Sequence, residues 1–142
     1  MPTFFIRCIP PSTTAQGKRA ARTATGIRFF KSAKQANDEA TWEALLAPHQ
    51  PAEPLLGPLE LTIALYYPYL GKHTARKSES DRSDYIPNVS KPDLDNVAKA
   101  LIDILVRLRY MVDDKQIYKL RLEKWHVPPG EVGIAFDLDG VK

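Results

Sequence analysis

The sequence predicts an α/β or α+β fold, built as one small domain over residues 1–142 with a mixed β-sheet and two main helices. Three observations lead to this class. Residues 59–67 alternate apolar and polar side chains, which is typical of a half-buried strand. Residues 94–109 carry an apolar stripe at helical spacing, and two further extended segments, 117–125 and 131–138, follow them. Strands that alternate with helices pack as a sheet covered by helices, here in the order β-α-β-α-β-β.

The N-terminal part begins with a predicted strand and continues as a predicted loop. The segment TFFIRCI (3–9) is rich in aromatic and β-branched residues, and Pro10 and Pro11 end it. Residues 12–26 are small, polar and basic, which predicts an exposed loop. The segment IRFF (27–30) predicts a short extended piece.

A first helix is predicted over about residues 33–46. Ser32 followed by Gln35 fits a capping box, in which the two side chains satisfy amides at the helix start. Pro48 ends the helix, because proline cannot donate to the helical hydrogen-bond ladder. The residues expected to face the core are Trp42, Leu45 and Leu46.

The second half begins with the predicted strand over residues 59–67, and a long polar connection (68–92) follows it. In compact domains, connections of this length are usually functional or disordered. The side chains predicted to share the buried face of the strand are Leu59, Leu61, Ile63, Leu65 and Tyr67.

The helix over residues 94–109 has two distinct faces. Its apolar stripe consists of Val97, Leu101, Leu105 and Leu108. A second face repeats charged residues every four positions. In the structural interpretation, Lys99 pairs with an acid one turn away and Asp103 bridges Lys99 and Arg107, each pair contributing roughly a few tenths of a kcal/mol. After the helix, HVPPG predicts a hairpin that joins the last two strands.

Charge is distributed unevenly along a chain whose formal net charge is only +3. The first 35 residues contain no acid. A basic segment of this kind indicates a polyanionic partner, with nucleic acid ahead of a membrane surface. The alternative is a solvated loop. The basic residues of the segment are Arg7, Lys18, Arg19, Arg22, Arg28, Lys31 and Lys34.

The composition, with 44% hydrophobic and 26% charged residues, is that of a soluble globular protein. No apolar run approaches the length of a membrane span, and the N-terminus lacks the pattern of a secretory signal, so the expected compartment is the cytosol. The single cysteine, Cys8, excludes an internal disulfide and a Cys-rich zinc site. His73 and His126 are isolated in the sequence and are expected at the surface.

Four carboxylates surround the helix, with Asp93 and Asp95 at its start and Asp113 and Asp114 just past its end. A single acid at a helix start is explained by capping and by the helix dipole. The helix is roughly 24 Å long, so the two pairs meet only if the chain turns back along it. Carboxylates that converge in one cleft persist by binding protons or a cation, and oxygen ligands select Mg²⁺ or Mn²⁺.

Lys99 lies one turn beyond Asp95 on the same helix face. An ammonium beside a metal would stabilise the charge that develops on a phosphate. Carboxylates, a lysine and basic loops together indicate phosphodiester hydrolysis, in which metals activate water. The structural interpretation, in which these groups only cap and bridge, stays open on the residues alone.

The segments KPDLDNVAKALID, VDDKQI and LEKW, in this order and spacing, resemble the RusA family of Holliday junction resolvases. The resemblance covers about residues 59–138 well and the N-terminal part loosely. It implies an α/β fold and a homodimer. It also implies a Mg²⁺-dependent endonuclease that cuts four-way DNA junctions by paired nicks, in DNA recombination and repair. Mn²⁺ is expected to substitute, and a bacterial or phage-encoded cytoplasmic protein is expected, because phages and prophages encode many members.

The resemblance also implies roles for individual residues. Asp93 and Asp95 match the two acids of the family's DxD motif, and Asp114 matches its third catalytic acid. Lys99 matches the family's essential lysine. Asp113 precedes the third acid and would support it or share metal ligation.

The DNA-contacting residues are matched less closely than the acids. The family's general pattern of two prolines followed by Lys and Arg is present, but PPSTTAQGKRAAR lacks the compact Pro-Lys-x-Arg-Pro-Arg form of some members. Four tyrosines lie around the long connection: Tyr66, Tyr67, Tyr69 and Tyr85. They could stack on exposed bases of the DNA. The favoured interpretation is that Tyr67 belongs to the core and that the others cover a loop or a dimer surface. The residues expected to contact DNA are Lys18, Arg19, Arg22, Lys72, Arg76, Lys77 and Lys91.

Two other functions fit parts of the pattern. Pro92-Asp93 followed by Asp113-Asp114-Lys115 spells the pattern of PD-(D/E)xK nucleases, which would make Lys115 the catalytic lysine. That site spreads its acids over adjacent strands, whereas here a strong amphipathic helix begins at Asp93. The other alternative is a non-catalytic basic DNA-binding module whose acids only cap and bridge.

Overall fold

The computed structural model describes residues 2–11, 18–23, 26–31, 33–75 and 84–141. The described chain forms a small α+β domain with a mixed five-stranded sheet, as the sequence predicts. In chain order the elements are β1 (Thr3–Ile6), β2 (Lys18–Thr23), β3 (Gly26–Lys31), α1 (Ala33–Leu46), β4 (Leu59–Pro68), α2 (Gly71–Ala75), β5 (Ile86–Pro87), α3 (Leu94–Arg107), β6 (Ile117–Val127) and β7 (Gly133–Gly140).

The sheet has the order β1-β7-β4-β6-β5, with β4 at its centre. At Ile63, β4 pairs in parallel with Leu122 of β6 on one side and antiparallel with Phe136 of β7 on the other. The predicted hairpin between the last two strands is therefore wrong, because β4 lies between them. A turn signal shows that the chain reverses but not which strand becomes the neighbour. The strand with the longest apolar pattern takes the centre, where both of its edges are hydrogen-bonded.

The N-terminal segment contains more strand than the sequence predicts. The strand predicted from TFFIRCI is present as β1, and IRFF lies within β3. The predicted loop over residues 12–26 is wrong for Lys18–Thr23, which pairs antiparallel with β3 as a separate two-stranded sheet. The small and basic residues of β2 carry no alternating pattern, so only the pairing partner reveals the strand. Ser32, the predicted helix cap, lies outside the described residues.

The core forms where α1 and α3 pack together and against one face of the sheet. The predicted core residues Trp42 and Leu46 of α1 are buried, and Leu45 packs against them. On α3 the predicted stripe is also confirmed, with Leu108 as its half-buried member. Among the described residues, no helix combines the length and the apolar character needed to cross a membrane.

Two histidines are buried where the connection over residues 68–92 packs against β6. The connection contains α2 and β5, while residues 76–83 lie outside the described part. The expectation that His73 and His126 lie at the surface is wrong. Their relative exposures are 9% and 6%, and their ring centroids are 4.6 Å apart. The reason is the parallel pairing of β4 and β6, which places the His126 Nδ1 atom 3.0 Å from the carbonyl oxygen of Pro68.

Candidate active site

The first pair of acids stands at the start of α3. Asp93 is the residue before the helix and Asp95 lies in its first turn, and both side chains are exposed. The Asp93 carboxylate accepts no capping hydrogen bond from the helix amides, although its main-chain carbonyl accepts from the amide of Val97 at 3.1 Å. The capping role that would explain this acid structurally is therefore not observed.

Lys124 of β6 ties the strand to the segment that leads into α3. Its Nζ donates to the main-chain carbonyls of Ser90 and Pro92, the latter at 2.6 Å. In the same place, the amide of Asn88 donates to the carbonyl of Lys124 at 3.1 Å. Burial lowers the pKa of the Lys124 ammonium, and the nearby Asp93 carboxylate opposes that shift. The sequence predicts no role for this lysine beyond its place in the LEKW segment.

The second pair of acids lies on a short turn between α3 and β6. Tyr110 and Met111 are buried and anchor the chain after the helix. Asp113 then begins a single 3₁₀ turn, and its carboxylate accepts from the amide of Lys115 at 2.9 Å. Asp113 is thus an N-cap, whereas Asp114 projects from the turn with an exposed side chain.

The two adjacent carboxyls of the turn affect each other's ionisation. The amide of Lys115 and a hydrogen bond from the Asp114 carboxyl hold the pKa of Asp113 below its ordinary value. The hydrogen bond with Asp113, together with the negative charges of Asp113 and Asp103, raises the pKa of Asp114. Negative charge is therefore concentrated around the Asp113–Asp114 pair, where a cation would relieve the repulsion.

An open recess of about 360 Å³ brings Asp114 together with the charged face of α3. Lys99 and Asp103 line it from the helix, and residues 117–120 line it from β6. Within the described part of the chain, Lys99 forms no ion pair with Asp95 or Asp103. The predicted bridge from Asp103 to Arg107 is wrong, because Arg107 pairs with Glu43 of α1, which approaches as the two helices pack.

The four acids form two groups. Asp93 lies beside Lys124 at the start of α3, while Asp114 lies beside Lys99 and Asp103. The rise of a helix separates Asp95 from Asp103 by about 12 Å. Across the described ranges, no three acid, histidine or cysteine side chains stand close enough together to hold a metal ion. By chemical type, however, carboxylate oxygens are the ligands that a hard divalent cation prefers.

The sequence of this chain matches a known protein family. The family model described as endodeoxyribonuclease RusA matches residues 9–135, a span that includes both pairs of acids and Lys99. The chain belongs to the RusA family. A similar protein is the uncharacterized protein YqaN of Bacillus subtilis (strain 168), which is 27% identical over 120 residues, covering 82% of this chain and 78% of that protein.

Membership of the RusA family makes this chain an endodeoxyribonuclease of the Holliday junction resolvase class. The predicted resemblance is confirmed, and the non-catalytic DNA-binding module is disfavoured. RusA resolvases are in general metal-dependent nucleases, and a resolvase implies binding of branched DNA. The carboxylate oxygens are donors of the type that a divalent cation prefers, although within the described residues the two acid pairs stand apart.

The structure describes part of the predicted DNA-contacting set of this RusA-family chain. Lys72 of α2 and Lys91, which precedes the cis Lys91–Pro92 peptide bond, are exposed. Of the N-terminal set, Lys18, Arg19 and Arg22 lie in β2, but their side chains are outside the described part, as are Arg76 and Lys77 entirely.

Among the tyrosines around the long connection, Tyr67 lies in the core, as the favoured interpretation predicts. Tyr67 is buried, and its hydroxyl donates to the carbonyl of Pro11 at 3.3 Å. Tyr66 and Tyr85 lie with ring centroids 5.4 Å apart. Burial raises the pKa of Tyr66, and Glu123 and Glu131 contribute through their negative charge. Carboxylates beside these rings disfavour the close approach of a phosphate backbone, so base stacking gains no support here.

Proposed function

We propose that this chain is a Mg²⁺-dependent resolvase that cuts four-way DNA junctions by paired nicks, in DNA recombination and repair. The observation that carries this proposal is the recess lined by both Lys99 and Asp114, the latter a carboxyl that lies close to other negative charges. An ammonium without an ion pair among the described residues and an exposed acid that line one recess, within a chain of an endodeoxyribonuclease family, are suited to a phosphodiester group. We take residues 1–142 as one endonuclease domain, acting in the cytoplasm of a bacterium, whether cellular or phage-encoded.

The acids would hold the cation. Asp93, Asp95 and Asp114 are the proposed ligands, and Asp113 would share ligation with the oxygen that does not cap the 3₁₀ turn. When bound, Mg²⁺ or Mn²⁺ would activate the attacking water and stabilise the phosphate oxygens during in-line displacement.

Lys99 would act on the phosphate directly. Its ammonium carries no ion pair within the described residues, so it is available to stabilise the negative charge that develops in the transition state. Water adds to phosphorus, the bond from phosphorus to the 3′ oxygen breaks, and that oxygen takes the proton. The products are a 5′-phosphate and a 3′-hydroxyl.

A homodimer would match the substrate. A four-way junction has approximate twofold symmetry, and two opposed strands must be cut, so two identical sites related by a twofold axis suit it. Basic residues of the N-terminal segment and the long connection would contact the phosphates, which makes binding dependent on salt. The proposed contacts are Lys18, Arg19, Arg22, Lys72, Arg76, Lys77 and Lys91.

The test is cleavage of a synthetic four-way junction against a linear duplex of the same sequence. Each substrate is incubated with Mg²⁺, with Mn²⁺ or with EDTA, and the strands are resolved on a denaturing gel. We expect symmetric paired nicks in the junction but not in the duplex, and only when Mg²⁺ or Mn²⁺ is present. Equal cutting of the duplex would overturn the structure selectivity, and cutting in EDTA would overturn the metal requirement.

A further inference from the structure

The side chain of Gln116 uses every hydrogen-bonding position of its carboxamide. The Oε1 atom accepts from the amides of Val112 at 2.8 Å and Asp113 at 3.0 Å. The Nε2 atom donates to the carbonyls of Leu55 at 2.9 Å and Gly57 at 3.0 Å. A carboxamide can accept two hydrogen bonds and donate two, so this side chain is saturated. It joins two segments that lie about 60 residues apart, a separation of 61 residues to Leu55 and 59 to Gly57.

The segment on the far side of this contact is itself anchored to the core. The amide of Leu55 donates to the carbonyl of Tyr110 at 2.9 Å, and Leu55 forms an isolated parallel bridge with Met111. Tyr110 and Met111 are buried, with relative exposures of 0% and 1%. Gly57 has a φ of 77°, a conformation that glycine adopts readily. The carboxamide thus fastens the exposed turn to a rigid part of the molecule.

The two amides that Gln116 binds are those of the residues immediately before Asp114. Asp113 completes the arrangement from the other side, because its carboxylate accepts from the amide of Lys115. The main chain is therefore hydrogen-bonded on both sides of Asp114. The exposed side chain of Asp114 depends on this backbone for its place beside Lys99 and Asp103 in the recess.

We infer that Gln116 is a positioning residue for Asp114, holding the turn over residues 112–116 against the segment over residues 55–57. The inference rests on the proposed function, in which Asp114 is a cation ligand. Groups that orient a metal ligand typically change metal affinity or activity by about 10-fold to 100-fold when they are removed. Gln116 itself touches neither the cation nor the DNA.

The test compares Gln116→Leu and Gln116→Glu with the same change at an exposed glutamine, Gln50→Leu, in the full chain. Gln116→Leu removes all four hydrogen bonds. Gln116→Glu keeps an oxygen for the two amides but sets a carboxylate against the two carbonyls. The first readout uses no DNA. Mn²⁺ is titrated against each protein, and the paramagnetic broadening of the amide resonances of residues 112–115 is measured by NMR.

Both Gln116 variants are expected to need about 10-fold more Mn²⁺ for the same broadening, while Gln50→Leu matches the wild type. The amides of Val112 and Asp113 are expected to exchange with solvent at least about 10-fold faster in Gln116→Leu, because they lose their acceptor. Equal Mn²⁺ dependence in the wild type and both Gln116 variants, in proteins that remain folded by circular dichroism, would overturn the inference.

Single-turnover junction cleavage gives the second readout. The rate at low Mg²⁺ is expected to fall by about 10-fold or more in the Gln116 variants and to recover in part at high Mg²⁺, with junction affinity in EDTA unchanged. A fall that no Mg²⁺ concentration reverses, accompanied by a matching loss of junction affinity, would overturn the inference. A wild type that cleaves no junction would refute the proposed function alone, since the Mn²⁺ comparison still decides the role of Gln116.

Discussion

The ammonium group of Lys124 lies 2.6 Å from the main-chain carbonyl oxygen of Pro92, the residue directly before Asp93. Lys124 belongs to β6, and the contact spans 32 residues of the sequence. Gln116, immediately before the same strand, binds the turn that carries Asp114. Lys124 in β6 and Gln116 just before it therefore bind the main chain beside the two acid pairs.

Replacing Lys124 by methionine is expected to lower stability and cleavage together. The variant keeps most of the side-chain length but leaves the carbonyls of Ser90 and Pro92 without their donor. Loss of hydrogen bonds to a charged, partly buried group costs about 1 to 2 kcal/mol. Urea unfolding measures the stability, and Lys119→Met, at an exposed lysine of the same strand whose surface ion pair with Glu60 contributes little, is the control for stability. Equal stability of the two variants would contradict the structural role of Lys124.

Replacing Asp114 by asparagine is expected to abolish cleavage while junction binding is kept or strengthened. The substitution removes a proposed cation ligand, and it also removes a negative charge that repels the phosphates. Binding is measured in EDTA by fluorescence anisotropy at two salt concentrations. Glu53→Gln removes one charge from an exposed acid elsewhere and should cleave normally. A folded Asp114→Asn protein that no longer binds the junction would count against the proposed role.

Separate substitutions of Lys99 and Lys115 show which of them is the catalytic lysine. Lys99 lines the recess with Asp114, whereas Lys115 is exposed on the turn and contributes its main-chain amide to Asp113. Lys99→Met is expected to slow single-turnover cleavage by about 100-fold or more, and Lys115→Met by less than about 3-fold, because Lys99 lines the recess and Lys115 does not. The reverse order would favour the PD-(D/E)xK alternative.

Tyr110 should affect stability without affecting catalysis. Its hydroxyl donates to the carbonyl of Leu46 in the core, and burial raises its pKa to about 12 from an ordinary value of 10.0. Tyr110→Phe removes that hydrogen bond and is expected to cost about 1 kcal/mol at pH 7, with cleavage unchanged within about 2-fold.

The pKa of Tyr110 also predicts a pH dependence. Because folding favours the neutral phenol, its contribution is complete below about pH 10 and is lost as the pH rises through about 12. The stability difference between the wild type and Tyr110→Phe should therefore shrink over that interval in urea titrations. A difference that stays constant to pH 12 would show that folding does not raise the pKa of this hydroxyl above its ordinary value.

Much of the site can be predicted from the sequence, because the patterns that indicate it lie within single continuous segments. The apolar stripe of α3 repeats within one continuous segment, so its buried face follows from Val97, Leu101 and Leu105 alone. The acids and Lys99 carry the family resemblance by their spacing. β4 is likewise predicted, since the alternation along Leu59–Pro68 identifies its buried face without reference to any neighbour.

The remaining features depend on which segments become neighbours. The sequence by itself determined the helix, the central strand, the acids and the family. Only the tertiary structure decided that β4 separates β6 from β7, that His73 and His126 are buried together, and that Lys124 and Gln116 support the two acid pairs. The physical reason is that periodicity specifies which face of an element is buried, whereas strand pairing and side-chain contacts across 30 to 60 residues are set when the whole core packs.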